Sequence, residues 1–419
     1  MSQRKNQSNT GNFIYDTIII GAGASGLYCA AHLRTGRVLM IEKNKKVGLK
    51  ILASGSGQCN LTHAGYINAF YTKYGDKKGF VKPALSEHDN QDVMQFFERE
   101  GLTLVTRDDG KVFPKSFKAS DVVEVLRHAC EKNRIEVLLN QTVLECERLE
   151  GENLEEPVFR VTTEERFFLC RNLVMATGGK SYKGLGTTGD GYRFAEALGH
   201  TIKPLKPGLT GIVTKSKALV DLQGLSLEEV QISHPKLKKV SGPMVITHFG
   251  LSGPVIINNS RDFDRGDQIT INFLTVDKNV FETLFLDTVK QHGEKPLAYF
   301  MNQVKCPDAL KQRLLEACEL KGDMKLAEIG KVKRKALIQM LTEYPIEVES
   351  LVGFNQAMVT VGGVSCDQVD PKTLASKLVK GLYLLGEVVD VDGDTGGYNL
   401  QWAFSSGFAA AKDIIGRTR

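Results

Sequence analysis

The stretch Thr17-Ile18-Ile19-Ile20-Gly21-Ala22-Gly23-Ala24-Ser25-Gly26, carried on through an Ala/Leu-rich segment to Arg37-Val38-Leu39-Met40-Ile41-Glu42, decides the fold. An apolar run, a GAGASG turn, a helix-forming segment, a second apolar run and an acid spell strand, glycine turn, helix, strand and carboxylate. Gly21 allows a sharp turn, Gly23 allows backbone to approach a pyrophosphate, and Gly26 allows the helix to lie close on the strand. The helix amino end then offers free N–H groups and a positive dipole end to phosphates. Glu42 ends the second strand, where a carboxylate can accept hydrogen bonds from the ribose hydroxyls of an adenosine. A glycine turn alone is weak evidence. With strand, helix and acid at their expected spacing, the stretch predicts a dinucleotide site.

Around that unit lie 419 residues, 42% of them hydrophobic, enough for a large core and two or three domains. A charged content of 25% excludes global disorder, and a net charge of +5 is too mild to argue for any partner. The polar stretch at 1–12 is not expected to act as a signal peptide, and no apolar run in the sequence reaches the roughly 18 residues of a membrane span. A cytoplasmic protein with no membrane partner is expected. The eight cysteines are scattered without a CxxC, so neither a metal site nor a dithiol pair is expected, and reduced thiols are.

Along the chain, a flexible tail is expected at 1–13. The basic, glycine-rich Lys43 to Thr62 stretch reads as a structured loop, neither strand nor helix, of a length that is usually functional. Helices are expected over 90–101 and 120–133, the second capped by Ser120 or Asp121. Short strands are expected at 135–139 and 143–146, then an acidic turn at 150–156. A hairpin at 159–163 and 167–170 should precede a separate buried strand at 172–176. Residues 203–277 read as short strands between Gly/Pro turns, and 278–343 as charged helices. The expected fold is α/β: a discontinuous Rossmann-like domain (14–202 and 358–419) interrupted by a β-barrel-like piece (203–277 and 344–357) and a helical piece (278–343).

The far end of the chain separates FAD from NAD. An NAD domain is usually contiguous, yet here Gly381-Leu382-Tyr383-Leu384-Leu385 runs into Gly386-Glu387 and then Thr395-Gly396-Gly397-Tyr398-Asn399-Leu400 before a last helix. Such a strand can lie parallel to the first, with Gly386 permitting close approach and Glu387 available to ribityl hydroxyls. The helix after Gly397 would aim its N–H groups at an isoalloxazine, where a positive dipole end stabilises negative charge on the reduced ring.

SGSGQCNLT at 54–62, ATGG at 176–179, THFGLSGP at 247–254 and GLYLLGEVVDVDGDTGGYNLQWAFSSG at 381–407 together resemble the BaiN/YhiN-like family of NAD(P)/FAD-dependent oxidoreductases. The resemblance covers nearly the whole chain and implies a glutathione-reductase-type FAD domain. It implies that Gly21, Gly23, Ala24, Ser25 and Gly26 meet the pyrophosphate, and Glu42 the ribose with Lys43 beside it. Lys50, Ser54, Gly55, Gly57, Cys59 and Asn60 would line the path from phosphate to flavin. Val143 would meet adenine through its backbone, and Ala176, Thr177 and Gly178 would cross the adenosine half. Gly386, Glu387, Gly396, Gly397, Tyr398, Asn399 and Leu400 would hold the ribityl chain and ring. Lys183 stands where the family usually has proline, and Leu374-Ala375-Ser376-Lys377 replaces its usual TMESK, departures that touch loop or substrate geometry rather than FAD.

The resemblance implies a flavin-dependent oxidoreductase acting on a small organic substrate, with NADH or NADPH as transient electron donor. His248 is the candidate proton donor, weighed against a structural histidine; Cys59 is a packing residue or a reactive thiol without a visible partner. A second GxGxxG, Gly184 to Gly189, lacks an adjoining strand and a following acid, and is expected to be a loop feeding a helix near 192–198. The basic run Lys331-Val332-Lys333-Arg334-Lys335 lacks interleaved aromatics, so a solvated helix face is expected and a nucleic-acid partner is not. An RNA- or protein-binding role through the helical piece is the alternative function.

Overall fold

The structure, a computed structural model, describes residues 13–149 and 158–417, so the expected tail up to residue 12 and the acidic turn at 150–156 lie outside it. The chain folds as two compact units: residues up to Lys206 together with those from Met358 onward, and Pro207–Ala357.

The first unit is built on a seven-stranded sheet. Ile14–Ile20 and Val38–Ile41 are nearly continuous apolar runs because they lie at its buried centre. Ile14–Ile20 pairs in parallel with Val38–Ile41 on one side and Phe167–Met175 on the other, and Glu136–Leu138 extends the sheet beyond Val38–Ile41. The amino half of Phe167–Met175 forms an antiparallel hairpin with Val158–Thr163, while its carboxyl half pairs in parallel with Leu382–Leu384. The hairpin strand and the separate buried strand expected from the sequence are therefore one nine-residue strand that changes partners midway. Parallel pairing brings the carboxyl ends of the first strand, Phe167–Met175 and Leu382–Leu384 to one edge of the sheet. That edge is where ligands bind in open α/β sheets.

Two local expectations change. The Lys43–Thr62 segment contains a short helix, Leu49–Ala53, which is too brief to show periodicity and is anchored by buried Ile51. The helix Ala119–Lys132 starts at an N-cap, Lys118, with no side-chain cap. Its expected caps are spent on each other: Ser116 and Ser120 donate to the Asp121 carboxylate at 2.6 and 3.0 Å. By contrast, Asn90–Arg99 has a reciprocal capping box, Asp89 accepting from the Asp92 N–H and Asp92 from the Asp89 N–H.

The second unit is a closed six-stranded barrel ordered Ile212–Thr214, Gly250–Ser252, Leu237–Ile246, Ser226–His234, Gln268–Asn272 and Tyr344–Leu351. Helices Lys278–His292, Asp308–Ala317 and Lys331–Thr342 share its core: Phe281, Phe285, Leu310 and Leu341 cluster with Ile232, Ile271 and Ile346. The barrel and helical pieces are two faces of a single apolar core.

Candidate dinucleotide site

The fingerprint glycines do different jobs. A Cβ on Gly26 would lie 2.0 Å from the Gly21 carbonyl oxygen, and one on Gly21, at φ +100°, would lie 2.5 Å from the Ala176 oxygen. Those two positions are glycine because the protein's own backbone fills the space. A Cβ on Gly23 meets nothing within 4 Å. No protein atom forbids a side chain there, yet the position carries none, at the amino end of the helix Ala24–His32. This is the cradle a pyrophosphate requires.

Glu42 is buried, and its carboxylate accepts from the Ala22 N–H at 2.8 Å and from the Asn44 backbone and side chain at 2.9 and 2.7 Å. The acid is thus aimed by the fingerprint turn itself. Its carbonyl accepts from the Gln141 N–H at 3.0 Å, which brings the start of the strand Val143–Leu149 to the same corner. Lys43 turns aside to bond Thr188 and Asp190, both at 2.6 Å, and the Asn44 amide bonds the Leu185 carbonyl at 3.3 Å. The second GxGxxG is therefore a loop packed on the end of Val38–Ile41, feeding the helix Asp190–Ala197. Ala176 donates to the Ile20 carbonyl at 2.9 Å, so Ala176-Thr177-Gly178 crosses directly beside Gly21.

The carboxyl end of the chain closes the site. A Cβ on Gly386, at φ +64°, would lie 2.9 Å from Ser25 Oγ, and one on Gly407 would lie 2.7 Å from the Ser25 carbonyl oxygen. The last strand and the last helix, Tyr398–Arg417, thus press on the fingerprint helix at two points. Trp402 and Ser406 fix the Gly386 peptide, the indole donating to its carbonyl at 3.1 Å and its N–H donating to the serine hydroxyl at 3.1 Å.

The Glu387 carboxylate is already engaged. It pairs with Lys50 at 2.6 Å and accepts from Ser181 Oγ at 3.0 Å and the Thr360 N–H at 2.7 Å, while Lys50 also donates to Ser181 Oγ at 2.9 Å. Ser181 and Thr360 were not singled out from the sequence. Ser181 follows ATGG by two residues, the one local signal it offers.

Ser54, Gly55 and Gly57 form a tight turn, with Ser54 Oγ donating to the Ile51 carbonyl at 2.7 Å. Cys59, at φ +58°, is fully buried, and burial pushes its thiol up to about 12. A thiol held protonated in this way is a weak nucleophile, which favours packing over reactivity. Its neighbour Asn60 has a buried side-chain oxygen without a hydrogen-bond partner, a vacancy that a ribityl or flavin donor matches.

Across the turn, Gly397 lies against the Thr62 backbone, and Tyr398 stacks on His63 with ring centroids 5.4 Å apart. Tyr74 donates to the Tyr398 carbonyl at 2.7 Å, and Asn399 brackets Gly393 with two 2.8 Å bonds that rigidify the acidic turn before the helix. Leu400 follows on the first turn, half-buried. Residues from three distant stretches thus meet in one unit around Gly23, and they fit an extended FAD. His248 belongs to the second unit, exposed at the Thr247–Gly250 turn of the barrel and edge-on to Phe249. Among the described residues no group of three His, Cys, Asp or Glu could hold a metal ion. No helix among them is long and apolar enough to cross a membrane.

The family described as HI0933-like protein Rossmann domain matches residues 15–413. The chain belongs to that family. Relatives of this chain include a ribosomal RNA dihydrouridine synthase of Haemophilus influenzae, 34% identical over 95% of this chain and 98% of the relative. An enzyme of the same name from Escherichia coli is 33% identical over 96% and 98%. A 3-dehydro-bile acid delta(4,6)-reductase of Clostridium scindens is 29% identical over 94% and 97%. Among solved structures, a 3-ketosteroid delta1-dehydrogenase from Sterolibacterium denitrificans shares the fold, with a TM-score of 0.52 and 14% identity over 97% of this chain and 100% of that one. The chain is a flavoprotein of the oxidoreductase class, and its cofactor is FAD.

Proposed function

We propose that this oxidoreductase saturates a carbon–carbon double bond conjugated to a carbonyl, that its substrate is uridine within ribosomal RNA, and that NADH or NADPH is the donor. The observation that supports the redox reading is the closure of the last strand and helix on the fingerprint helix, from which both chain ends would form one continuous FAD cradle. End-to-end similarity to two ribosomal RNA dihydrouridine synthases supports the substrate. Dihydrouridine is uridine with its C5–C6 bond saturated, so a hydride and a proton must be added across it. The flavin, when bound, supplies hydride transfer.

The chain's own residues orient and stabilise. The amino end of Tyr398–Arg417 would turn its backbone N–H groups toward a bound ring and stabilise negative charge on its reduced form. The Lys50–Glu387 pair, held by Ser181 and Thr360, keeps the loop before Cys59 fixed to the last strand. His248 is proposed as the proton donor on the substrate side. The second glycine loop is occupied by Lys43 and Asn44, so a nicotinamide donor would visit the same flavin face as the substrate.

The test is nucleoside analysis of ribosomal RNA from cells lacking the gene. Dihydrouridine should be lost and should return on complementation with the intact gene but not with Gly23→Val. An unchanged dihydrouridine content would refute the RNA substrate. The bile-acid reductase relative supports a second reading, a small cyclic enone, which NADPH-dependent bleaching of enone absorbance would detect.

A further inference from the structure

At the carboxyl end of the fingerprint helix Ala24–His32, away from the pyrophosphate cradle at its amino end, lies a cleft of about 550 Å³. The helix has nine residues, which separates the two ends by about 13 Å. Two histidines from different elements, His32 and His88, line the cleft beside Phe96 and Phe408.

Their tautomers follow from their partners. His32 Nδ1 lies 2.8 Å from the Tyr28 carbonyl oxygen, so that nitrogen carries the proton and Nε2 is left as an acceptor. His88 Nε2 lies 2.7 Å from the Tyr28 hydroxyl. Tyr28 is fully buried and this is the hydroxyl's one partner among the described residues, so the phenol donates and His88 Nδ1 carries the N–H. Burial keeps both rings neutral at pH 7, lowering His32 to about 4 and His88 to about 3. With ring centroids 5.7 Å apart, the pair offers one acceptor and one donor side by side.

Three acidic side chains, Glu87, Asp92 and Glu100, and three basic ones, Arg34, Arg99 and Lys132, line the cleft. Pairing of Glu87 with Lys412 and of Glu100 with Lys132 at 2.6 Å leaves Asp92, which closes the capping box of its own helix, facing two arginines. Arg34 and Arg99 are exposed, and among the described residues neither pairs with a carboxylate. Two exposed guanidiniums without a carboxylate partner therefore line the cleft, that of Arg99 donating its Nε to the Gln95 carbonyl at 3.2 Å. With them is a donor–acceptor pair set among aromatic rings, His88 stacking on Phe408 at 4.0 Å. Guanidinium suits phosphate, and the volume lies in the range of small-molecule sites.

We infer that this cleft is a second binding site, for a nucleoside monophosphate: a planar heterocycle with a carbonyl beside an N–H on its edge, and a phosphate. The site is independent of the oxidoreductase reading. The phosphate-bearing nucleoside is either free or part of an RNA strand, and the two differ in the probe they require.

The experiment is isothermal titration of the FAD-loaded protein with uridine 5′-monophosphate, uridine, inorganic phosphate and a short oligouridylate. The monophosphate should bind more tightly than uridine or phosphate alone. The double variant Arg34→Glu/Arg99→Glu should weaken it at least tenfold, with FAD content and Tm unchanged. Oligouridylate binding tighter than the monophosphate, with the same arginine dependence, assigns the site to RNA; equal or weaker binding assigns it to the free nucleotide. Absence of heat with both probes, or affinity that survives the double variant, overturns the inference.

Discussion

A methyl group added at Gly26 would collide with the Gly21 carbonyl, whereas one added at Gly23 would meet no protein atom. The two positions should therefore fail differently. Gly26→Ala should lower stability by about 1–3 kcal/mol through overpacking, read by chemical denaturation of the apoprotein. Gly23→Val should leave apoprotein stability within about 0.5 kcal/mol yet abolish FAD binding, read as flavin released per chain; full occupancy would remove the cradle from the account. A different single-residue effect concerns acid. His32 and His88 are both lowered chiefly by burial; at His32 the Tyr28 carbonyl and Glu100 favour protonation while Arg34 and Arg99 oppose it, and at His88 the neighbouring His32 and then Arg99 oppose it. Unfolded, both would titrate near 6.5, so the unfolded chain binds more protons over the window from there down to about 4 and about 3. Stability from this pair is complete above pH 6.5 and is lost as pH falls, by about 2–3 kcal/mol per pH unit with both sites engaged. His88→Leu should roughly halve that slope in urea titrations between pH 6 and 4, while costing stability at pH 7 because Tyr28 loses its acceptor. A slope identical to the parent protein's would show that the pair does not control acid sensitivity.

The last helix, Tyr398–Arg417, owes its place to small residues at the crossing with Ala24–His32 and to a start fixed by Asn399 and Tyr74. The helix Lys331–Thr342 is of another kind. Its basic first turn exposes Lys331 and Lys335, while Lys333 turns back to Glu319. The expected solvated face is what the element presents, and it is also the alternative contact for RNA. Charge reversal at Lys331 and Lys335 should leave NAD(P)H oxidation unchanged. If this face meets phosphates, it should reduce the salt slope of ribosomal RNA binding by about 2; an unaltered slope assigns the face to solvent. At the barrel turn Thr247–Gly250, His248→Gln tests proton donation. A kcat lowered by about 10²–10⁴-fold, with FAD reduction by the donor intact, is expected; unaffected turnover removes His248 from the chemistry.

At the scale of the molecule, the first unit contains its own core and every residue proposed to hold FAD, and its two chain segments lie side by side where Gly362 packs on the Pro204 carbonyl. Replacing residues 207–357 with a short linker should give a folded, yellow protein that binds FAD but does not turn over RNA; a colourless product would show that FAD binding needs the second unit. Much of this was legible in the residues. The fingerprint, Glu42, the return of the chain at Gly386 and the β-then-α character of the insertion follow from local periodicity, turn chemistry and the steric freedom of particular glycines. The helix Leu49–Ala53 escaped because five residues carry too little pattern, and the strand Phe167–Met175 was read as two because its change of partner leaves no mark in its own residues. What the polypeptide order alone determined was therefore most local elements, the short helix Leu49–Ala53 and the full span of Phe167–Met175 excepted, and the identity of the cofactor. What only the tertiary structure decided was who holds whom: Lys50 and Glu387 are 337 positions apart, and Asn44 and Leu185 are 141 apart. Hydrogen-bond partners and clefts depend on three-dimensional distance, and no periodicity along the chain records it.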